Sequence, residues 1–562
     1  MKKTYLLKSK LILIVVIFLT TFSSIIKGQV LVVPPNPGNI STVEHLTQSN
    51  DYTVEVKKSG DANYTTCFVY KTDNYATTAK KAENSLSFTN VSFSGTSIDV
   101  RVTCKFTANS VTIRPLNFGI IGVRAGNVIT FTLNKPTKLS IEVNDRTNPL
   151  FFFADAPDVP NTNATYYYAP GTVTNIGLLK TINSGESVYI AGGAVVEGSF
   201  SLAEGSKNIS IKGRGILCMG QWLWQSNDLT FLGDHSMIKA RSTSYLQMEG
   251  IILANSTGWH IPIYNGGGNL VFNNQFRNLK LISWNPNSDG IWVNGKNHIV
   301  DDCFIFNNDD AIMSHSITDS KVSNMIIWGG PWGRVYMHSG QDTKPLSDNM
   351  TLENFNVIGK DSGNPELILA NGSSGFAQTI SNFTFKNWRV EKHPNSKFLN
   401  INVSGNKNIK GWHFEDITLD DKYADEGDIH GAANSPIDVV TFCNIKMAGN
   451  YVTSLAAANM DKNSYATNVT FCTNTEVDNI NNSNNSFIIY PNPANDYLIV
   501  AGDGDLTNCQ IELYDILGKK IVTQIINTNN FKIDISGFNK GIYFFKIISL
   551  DNTLQTGKLI KE

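Results

Sequence analysis

Three aspartates lie close together in the middle of the chain, within the stretch NPNSDGIWVNGKNHIVDDCFIFNNDDAIMSH from Asn285 to His315. Asp289 stands in an NSDG turn, and Asp309 and Asp310 stand in a second acidic turn, NNDD, about one rung of a β-solenoid later. Turns one rung apart can bring their side chains to one face of the stack. Clustered carboxyl groups suit glycosidic bond hydrolysis, because one protonates the leaving oxygen while another activates water.

These turns also have a purely structural interpretation. Asp and Gly supply the backbone hydrogen bonding and positive φ that a rung corner needs, so NSDG alone can be only a turn. The adjacent pair is more informative, because in a regular strand Asp309 and Asp310 would face opposite sides and one carboxylate would be buried in the stack. We therefore predict irregular backbone at this pair, with both carboxylates sharing a cleft with Asp289.

Asp301 and Asp302 form another adjacent pair, in the sequence HIVDDCFIF. Apolar residues flank the pair on both sides, which is typical of a position within a strand. We expect these two aspartates at a rung end or facing solvent, and outside the catalytic group.

The elements that must position the aspartates are short β-rich runs bounded by Gly, Asn or Asp, such as NLVFNNQFRNLKLIS and HIVDDCFIFNNDDAI. These runs return at roughly 20 to 30 residues without a strict consensus, and helical periodicity is nearly absent. The pattern predicts a right-handed parallel β-helix over residues 179–478, in which each rung buries its inward residues by stacking on its neighbours. The chain as a whole is predicted to be all-β, with a small β-sandwich at its C-terminal end.

Residues 29–178 precede this region with alternating segments such as YTVEV and SIDVRVTCKF, punctuated by Gly, Asn and Pro. This texture predicts an N-terminal β-sandwich. The segment NPLFFFADAPDVP ends it with an aromatic strand, Phe151 to Phe153, followed by prolines that stop further pairing. We expect these phenylalanines to pack against the β-helix, with the ordinary sandwich core as the alternative.

Composition limits the classes of partner. The 562 residues carry a net charge of only -2, which gives no reason to propose nucleic acid or an anionic membrane and favours a neutral polymer. Residues 1–28 combine a basic start with an apolar run and are interpreted as a signal peptide, the alternative being a retained membrane anchor. We expect the mature chain to be exported, without stable membrane insertion.

Seven cysteines over this length are too few for a disulfide scaffold, and none shows the CxxC spacing of a metal site. Cys67 could pair with Cys104 in the first domain, and Cys443 with Cys472 across one rung. Buried free thiols are an equally good interpretation. No metal or other cofactor is expected.

The C-terminal region begins after a polar tract, NINNSNNS at 479–486, which is interpreted as a linker. Residues 487–562 contain YPNPANDYL, LYDILGKKI, GIYFFKI and KLIK in that order. These elements resemble the C-terminal sorting domain of the type IX secretion system. The resemblance implies recognition by that machinery, export through the outer membrane, and release or attachment at the cell surface; a carbohydrate-binding module is the alternative.

The acidic motifs one rung apart on a β-helix resemble the polygalacturonase-like clan of glycoside hydrolases. Its family 28, the pectin hydrolases, adds a GHG turn and an RIK triplet that hold the galacturonate carboxylate. Here the corresponding region reads IIWGGPWGRVYMHSG, with Pro331 and Trp332 where that histidine would be expected, and no RIK follows. Family 49, the dextranases and isopullulanases, is more similar, since it joins a β-sandwich to a β-helix and keeps the three aspartates without the uronate-binding set.

The family 49 resemblance implies roles for the aspartates. Asp309 would be the general acid, while Asp289 and Asp310 would hold and deprotonate the attacking water. Inversion of configuration is then expected, with carboxyl groups roughly 6.5 to 9.5 Å apart. Clustered carboxylates also raise one another's pKa, which would supply the protonated acid without a metal.

Aromatic and polar residues near the motif provide candidate sugar contacts, because aromatic faces stack on the C–H surfaces of sugars. Trp292 belongs to this group without a definite role, Trp328 is expected in the core, and Trp222 and Trp224 could line the cleft from an earlier rung. The predicted substrate-binding residues are Trp284, Trp332, His315, Arg334, Tyr336 and His338.

The sequence thus favours a secreted α-glucan hydrolase of dextranase type. A pectin or algal polysaccharide hydrolase of the same clan is the first alternative, and the missing GHG and RIK elements argue against pectin. A β-helix lyase would need a Lys, Arg or Tyr base, which the aspartate-rich site disfavours. A glycan-binding surface solenoid without activity is the non-enzyme alternative.

Overall fold

The computed structural model describes residues 29–73, 85–222, 236–264, 271–339, 346–361, 363–372, 377–391, 397–472, 487–502, 509–516, 518–526, 528, 531–548 and 553–562. The predicted signal peptide, the predicted linker and Trp224 lie outside these ranges. The chain divides into two compact units, with the boundary between residues 473 and 474.

The first unit begins with two β-sheets that pack face to face. A buried cluster of alternating strand residues, including Val54, Val100, Ile129 and Phe152, fills the space between them. Two short 3-10 helices, Ile40–Thr42 and Leu116–Phe118, accompany these sheets. One sheet has seven strands: Val30–Val32, Thr47–Gln48, Tyr70–Asp73, Ser85–Ser94, Val111–Arg114, Thr137–Val143 and Leu150–Asp155. The other has five: Tyr52–Lys58, Thr65–Cys67, Ile98–Cys104, Val123–Ala125 and Val128–Leu133.

The aromatic strand Leu150–Asp155 serves both neighbouring cores. Phe152 points into the sandwich, whereas Phe151 and Phe153 point the other way, as the alternation of a strand requires. Phe151 lies 4.8 Å from Phe304 and 5.5 Å from Phe306 between ring centroids, and both partners belong to the solenoid. The predicted packing of these phenylalanines against the next domain is confirmed for two of the three.

A parallel β-helix follows, and it starts earlier than the sequence predicts. Its first strand is Tyr166–Tyr168, and the predicted boundary at 178/179 falls inside its second strand, Val173–Ile182. The predicted domain limits 29–178 and 179–478 are therefore wrong at this end. The sequences of the first two solenoid strands, YYY and VTNIGLLKTI, carry no feature that separates them from sandwich strands, so the texture of the sequence changes only after the fold has changed.

The solenoid consists of two stacks of strands among the described residues. In both stacks neighbouring strands are parallel, apart from the terminal pair Lys446–Met447 and Asn450–Tyr451. The longer stack contains Tyr166–Tyr168, Val173–Ile182, Ser187–Ile190, Val195–Leu202, Ser210–Gly213, Ile216–Cys218, Ile238–Arg241, Gln247–Glu249, Ile252–Ala254, Ile263–Tyr264, Gln275–Arg277, Lys280–Ile282, Gly295–Lys296, Ile299–Asp301, Phe304–Asn307, Ile317–Gly329, Leu346–Lys360, Gln378–Lys386, Arg389–Val390, Lys407–Glu415, Thr418–Leu419, Ile437–Cys443, Lys446–Met447, Asn450–Tyr451 and Ala466–Cys472. The shorter stack contains Ile291–Trp292, Ile312–Ser314, Tyr336–Ser339, Glu366–Gly372, Lys397–Val403, Gly427–His430 and Met460–Lys462.

Stacked rungs place like residues above one another in the solenoid interior. Phe385, Phe414, Phe442 and Phe471 follow one another in register, with centroid distances of 4.7, 4.9 and 5.1 Å and nearly parallel rings. Each fully buried side chain of this size contributes about 1.5–3 kcal/mol relative to exposure. The same register joins Cys443 to Cys472 in a disulfide whose Cα atoms lie 4.5 Å apart.

Only one of the two predicted disulfides is present among the described cysteines. The pairing of Cys443 with Cys472 is confirmed. Cys67 and Cys104 are buried free thiols, which is the alternative that the sequence left open for them. They lie on different strands of one sheet, Cys67 pairing with Val54 and Cys104 with Tyr52, and therefore do not face each other.

The second unit contains two small antiparallel sheets. A core of buried aliphatic residues, among them Leu498, Ile511 and Ile547, belongs to this unit alone. One sheet comprises Phe487–Tyr490, Tyr497–Gly502 and Phe531–Asp534; the other comprises Cys509–Tyr514, Lys520–Ile526, Gly541–Ile548 and Thr553–Lys561. In the described part of the chain, no helix is long and apolar enough to cross a membrane.

Candidate active site

The shorter stack of the solenoid sets the spacing of the acidic turns. Ile291 pairs with Ile312, and Ile312 pairs with Tyr336, so these three residues mark one position on successive rungs. Asp289 and Asp310 each stand two residues before that position, 21 residues apart. The backbone confirms the alignment, since the amide of Gly290 donates to the carbonyl of Asp310 at 2.8 Å. The predicted one-rung separation of the two motifs is confirmed.

Close stacking of these turns requires glycine at two places. A Cβ on Gly290 would lie 2.3 Å from the carbonyl oxygen of Ala311, and one on Gly333 would lie 1.7 Å from that of Asp309. Real Cβ contacts are never this short, so any other residue would push the rungs apart. The two glycines therefore let the acidic turns pack directly against their neighbours.

The backbone at the aspartate pair is irregular, as predicted. The strand Phe304–Asn307 ends before the pair, and Ile312–Ser314 begins after it. The carboxylate of Asp309 accepts a hydrogen bond from the amide of Asp310 at 3.0 Å. Both side chains escape the hydrophobic interior of the stack because neither residue lies in a regular strand.

Asparagine side chains tie the two acidic turns together. The Asn307 amide donates to the carbonyls of Ser288 at 2.9 Å and Asp310 at 3.2 Å. The Ser288 hydroxyl in turn accepts the backbone amide of Asn308 at 2.9 Å. Each NSDG and NNDD residue thus has a local structural task in addition to any chemistry, and the turns form one rigid unit.

Asp289 is held by two neighbours. Its carboxylate accepts a hydrogen bond from the indole N–H of Trp292 at 2.8 Å. Its carbonyl oxygen accepts both the backbone amide of His260, at 2.8 Å, and the ring Nδ1–H of the same residue, at 3.0 Å. Burial lowers the pKa of His260 to about 4, so this ring is neutral and acts as a fixed donor.

Asp310 faces the next rung, where it meets a cation. Its carboxylate accepts the backbone amide of Arg334 at 2.9 Å and lies 3.6 Å from the guanidinium Nη1. The same guanidinium has its Nε 3.5 Å from Glu366, one rung further along. In strand register Glu366 is followed by Lys397. We call this series of cross-rung neighbours the cleft column; it comprises Asp289, Asp310, Arg334, Glu366 and Lys397.

Burial dominates the electrostatics of the three aspartates. It raises the pKa of Asp309 to about 6 and, together with the charge of Asp309, that of Asp310 to about 7. The pKa of Asp289 is raised well above its usual range by burial and then by Asp309 and Asp310. Arg334 opposes the rise at Asp309 and Asp310. At neutral pH the cluster therefore retains at least part of a proton, and the order of the pKa values places it on Asp289 and Asp310 before Asp309.

A second cation lies beside the cluster. Lys360 is buried, and its ammonium group donates to the carbonyls of Gly330 at 3.1 Å and Asp361 at 3.0 Å. Burial lowers the pKa of Lys360 to about 8, while the charges of Asp361, Glu366 and Asp310 oppose that shift. The positive charges of Arg334 and Lys360 offset part of the negative charge collected at the aspartates.

Three of the predicted substrate-binding residues lie inside the molecule. Tyr336 and His338 are fully buried in the solenoid, where both contact the hydroxyl of Ser314 at 2.7 and 2.9 Å. Trp284 packs edge-on against Phe306 in the contact with the sandwich. These three assignments are wrong, because the side chains are buried against packed neighbours.

The other three predicted contacts remain on or near the surface. Trp332 and His315 are half-buried, and His315 stands edge-on to the ring of Trp292 at 5.2 Å. Arg334 is half-buried but is engaged by Asp310 and Glu366. Trp332 and His315 stay predicted sugar contacts.

The expectations for the remaining residues are mostly met. Trp328 is in the core as expected, packed near Phe151. Trp222 is half-buried against the solenoid core. Asp301 lies at the end of its strand, where it pairs with Arg277 at 3.0 Å, and Asp302 pairs with Lys138 at 2.7 Å, so neither joins the aspartate cluster.

Sequence reasoning gave no role to Trp292 and did not find Trp259 or Glu366. Trp292 follows Asp289 by three residues, and this spacing was the available signal for its hydrogen bond. Trp259, one rung earlier, lies 4.4 Å from Trp292 between ring centroids. Nothing in the sequence marks Glu366, because its place beside Arg334 depends on the length of the intervening rung.

The outward face of the shorter stack continues from Trp292 as an apolar strip. Trp292, Met313, Met337 and Leu369 are neighbours in strand register, and all four are buried or half-buried. This strip runs beside the cleft column. Within the described ranges, no group of three or more His, Cys, Asp and Glu side chains is arranged to hold a metal ion.

Comparison with solved structures shows the fold. The chain is similar to Dex49A from Penicillium minioluteum, at 17% identity and a TM-score of 0.62, over 78% of this chain and 96% of that chain. It also matches the catalytic domain of a GH87 alpha-1,3-glucanase in complex with nigerose, at 12% identity, with a TM-score of 0.35 over 76% of this chain and 99% of that chain. A Yersinia enterocolitica family 28 exopolygalacturonase matches at 11% identity and a TM-score of 0.23, over 67% of this chain and 94% of that chain. The last two scores are too low to carry an argument, and the first shows the architecture alone.

Sequence comparison identifies the second unit. Residues 488–562 match the family model of the secretion system C-terminal sorting domain. No curated protein matches the chain. The predicted sorting domain is confirmed, and the protein is therefore exported, to be secreted or attached at the cell surface.

Proposed function

We propose that this protein is a secreted polysaccharide hydrolase that cleaves α-glucan bonds of the dextran type by an inverting, aspartate-based mechanism. The observation that carries the proposal is the meeting of Asp289, Asp309 and Asp310 in one buried cluster with raised pKa values. Burying three carboxyl groups together opposes folding, so a fold that does so has a chemical use for them. The sandwich followed by a β-helix, shared with Dex49A, supports the same assignment.

In this mechanism Asp309 is the general acid, and Asp289 and Asp310 hold and deprotonate the attacking water. Asp309 is 9% exposed, against 4% for Asp289 and 3% for Asp310, so it is the most accessible to a glycosidic oxygen of a bound polymer. The contacts with Trp292 and Arg334 hold the other two carboxyl groups in place. Because these side chains are already held in the free enzyme, less of their conformational entropy is lost when the transition state forms.

A neutral glycan suits the surroundings of the cluster. The apolar strip from Trp292 to Leu369 can pack against the C–H faces of sugar rings. In the region that the structure describes, the two cations beside the aspartates already have partners: Arg334 faces two carboxylates, and Lys360 donates to two carbonyls. A uronate would need a cation for its carboxylate, so this arrangement favours glucans over pectin.

A substrate panel tests the proposal. Purified protein is incubated with dextran, pullulan, α-1,3-glucan and polygalacturonate, and released reducing ends are measured. We expect release from dextran and none from polygalacturonate. The matched control is Asp301→Asn, which neutralises an aspartate outside the cluster and should leave the product profile unchanged. Release from polygalacturonate alone would replace the α-glucan assignment with the pectin alternative, and binding without release from any polymer would indicate a non-catalytic solenoid.

A further inference from the structure

Glu366 has a place in the cleft column that the proposed mechanism does not use. It lies two rungs from Asp310, the nearest aspartate of the cluster, and is 9% exposed. Its Oε2 lies 3.5 Å from Nε of Arg334, and its Oε1 accepts the amide of Asn400 at 3.1 Å. Burying a carboxylate at this depth costs desolvation free energy unless the carboxylate is paired. The contact of Glu366 with Arg334 therefore offsets part of that cost.

Arg334 faces carboxylates on two sides, and its contact with Glu366 is an ion pair without a hydrogen bond at Nε. On one side its backbone amide and guanidinium both face Asp310; on the other, Glu366 faces the guanidinium Nε. Its Nη1 also donates to the carbonyl of Trp332 at 3.4 Å. A long side chain loses rotamer freedom when it is held, so an isolated guanidinium at this position would sample other orientations.

We propose that Glu366 is a positioning residue that holds the Arg334 guanidinium against Asp310, one of the two carboxylates assigned to hold and deprotonate the attacking water. This inference rests on the proposed function. Glu366 acts only through Arg334 and touches neither the substrate nor the reacting atoms. The register of the shorter stack, which places Glu366 directly after Arg334, supplies the geometry.

The charges around Asp310 and Glu366 determine whether loss of Arg334 raises or lowers the pKa of Asp310. Asp310 faces Asp289, Asp309, Arg334 and Lys360, and Glu366 faces Arg334, Lys360 and its register neighbour Lys397. Arg334 lowers the pKa of Asp310, against burial and the charge of Asp309. Loss of the guanidinium therefore raises that pKa, and the base is then protonated over a wider acidic range.

The test compares pH profiles of kcat/KM for full-length wild type, Glu366→Gln, Arg334→Gln and the double variant on the best glucan. The acid limb of kcat/KM reports the base of the free enzyme. Arg334→Gln should move this limb up by about one pH unit, the scale of an opposite charge nearby. Glu366→Gln should move it in the same direction by less, lower kcat and leave KM unchanged. In the double variant Glu366→Gln should add nothing.

Glu353→Gln is the matched control. Glu353 pairs with Lys321 at 2.7 Å across rungs of the longer stack, so it is a cross-rung ion pair away from the cluster, and one more exposed than the pair of Arg334 and Glu366. It should leave the profile unchanged. A shift of the acid limb to lower pH in Glu366→Gln would overturn the inference, because Glu366 would then act as a bare negative charge on Asp310. An additive shift in the double variant would also overturn it, because Glu366 would then act independently of Arg334.

Titration of the carboxyl groups separates this inference from the proposed function. Asp310 is followed by ¹³C NMR of aspartate-labelled protein, with its resonance assigned by Asp310→Asn. Glu366→Gln should raise the Asp310 midpoint whether or not any glucan is cleaved. Absence of hydrolysis by wild type would refute the proposed function alone, whereas an unmoved Asp310 midpoint would refute the positioning role alone.

Discussion

Two columns of charged residues cross the rungs of this solenoid, and they differ at one step, where the cleft column places two aspartates on adjacent rungs. The cleft column begins with two aspartates on adjacent rungs, and both are buried. The second column, which we call the outer ladder, runs along the longer stack and sets opposite charges on adjacent rungs in its charged pairs. It comprises Lys212, Glu249, Arg277, Asp301, Ser323, Glu353, Lys386 and Glu415.

The outer ladder shows what stacking alone selects. Arg277 pairs with Asp301 at 3.0 Å and Lys386 with Glu415 at 3.1 Å, with all four side chains at least partly in solvent. The ladder's register then continues into the disulfide between Cys443 and Cys472. Like charges on adjacent rungs would repel and are absent from these pairs. The like charges of Asp289 and Asp310 on adjacent rungs of the cleft column reduce the stability of the fold, which therefore indicates that they have a chemical role.

The largest expected difference between the columns is in catalysis. Asp309→Asn removes the proposed general acid and should lower kcat by about 10²- to 10⁴-fold on dextran. Asp301→Asn, in the outer ladder, should leave kcat unchanged. Circular dichroism and thermal unfolding of both variants check that the fold is intact, and wild-type turnover by folded Asp309→Asn would remove Asp309 from the mechanism.

The disulfide should give the largest effect on stability. Replacing both Cys443 and Cys472 by alanine releases a loop closed over 29 residues and should lower the free energy of unfolding by about 2–4 kcal/mol. Denaturant unfolding of oxidised wild type, reduced wild type and the double variant measures this difference. Equal stability of all three would show that the stacked register holds the last rung without the covalent bond.

Neutralising one aspartate in the cleft column should stabilise the protein. The pKa of Asp310 is about 7 in the folded state, whereas that of an aspartate in the unfolded state is about 3.9. As the pH rises, the unfolded state therefore loses this proton at a lower pH than the folded state does. Unfolding free energy thus declines between about pH 4 and pH 7. At pH 7.5 Asp310→Asn should gain about 1–3 kcal/mol and show a smaller decline. A loss of stability would mean that hydrogen bonds to the ionised carboxylate outweigh its burial.

The outer ladder should respond weakly and with the opposite sign. Asp301→Asn removes a partly exposed ion pair with Arg277 and should cost less than about 1 kcal/mol, with the cost shrinking in high salt. The measurement is denaturant unfolding at low and high ionic strength. A larger, salt-independent loss would show that this ladder contributes through packing or hydrogen bonds instead of charge.

The residue types of the turns made the acidic cluster predictable. Which face of each strand is buried could not be predicted from the sequence. Two adjacent aspartates cannot both face outward from a regular strand, so the NNDD motif predicted the irregular backbone that the structure shows. The alternation of side chains along a strand places Tyr336 and His338 on the same face, but it does not say which face that is. In the structure both side chains face the solenoid interior. Trp284 was misassigned because the sandwich covers its side of the solenoid.

Rung length explains the remaining omissions. The step from Ile291 to Ile312 takes 21 residues, but the step from Tyr336 to Ile368 takes 32. With rungs of unequal length, a partner two rungs away, such as Glu366, has no fixed offset in sequence. The start of the solenoid at Tyr166 was missed for a related reason, since its first strands resemble those of the preceding sandwich.

Proton NMR of the first sugar anomer released from dextran tests the central claim most directly. An α-linked substrate cleaved with inversion by the aspartate cluster gives the β anomer first, before mutarotation mixes the two. The account predicts an early β signal from wild type and product release about 10²- to 10⁴-fold slower from Asp309→Asn. Early α signal, or wild-type turnover by folded Asp309→Asn, would contradict it.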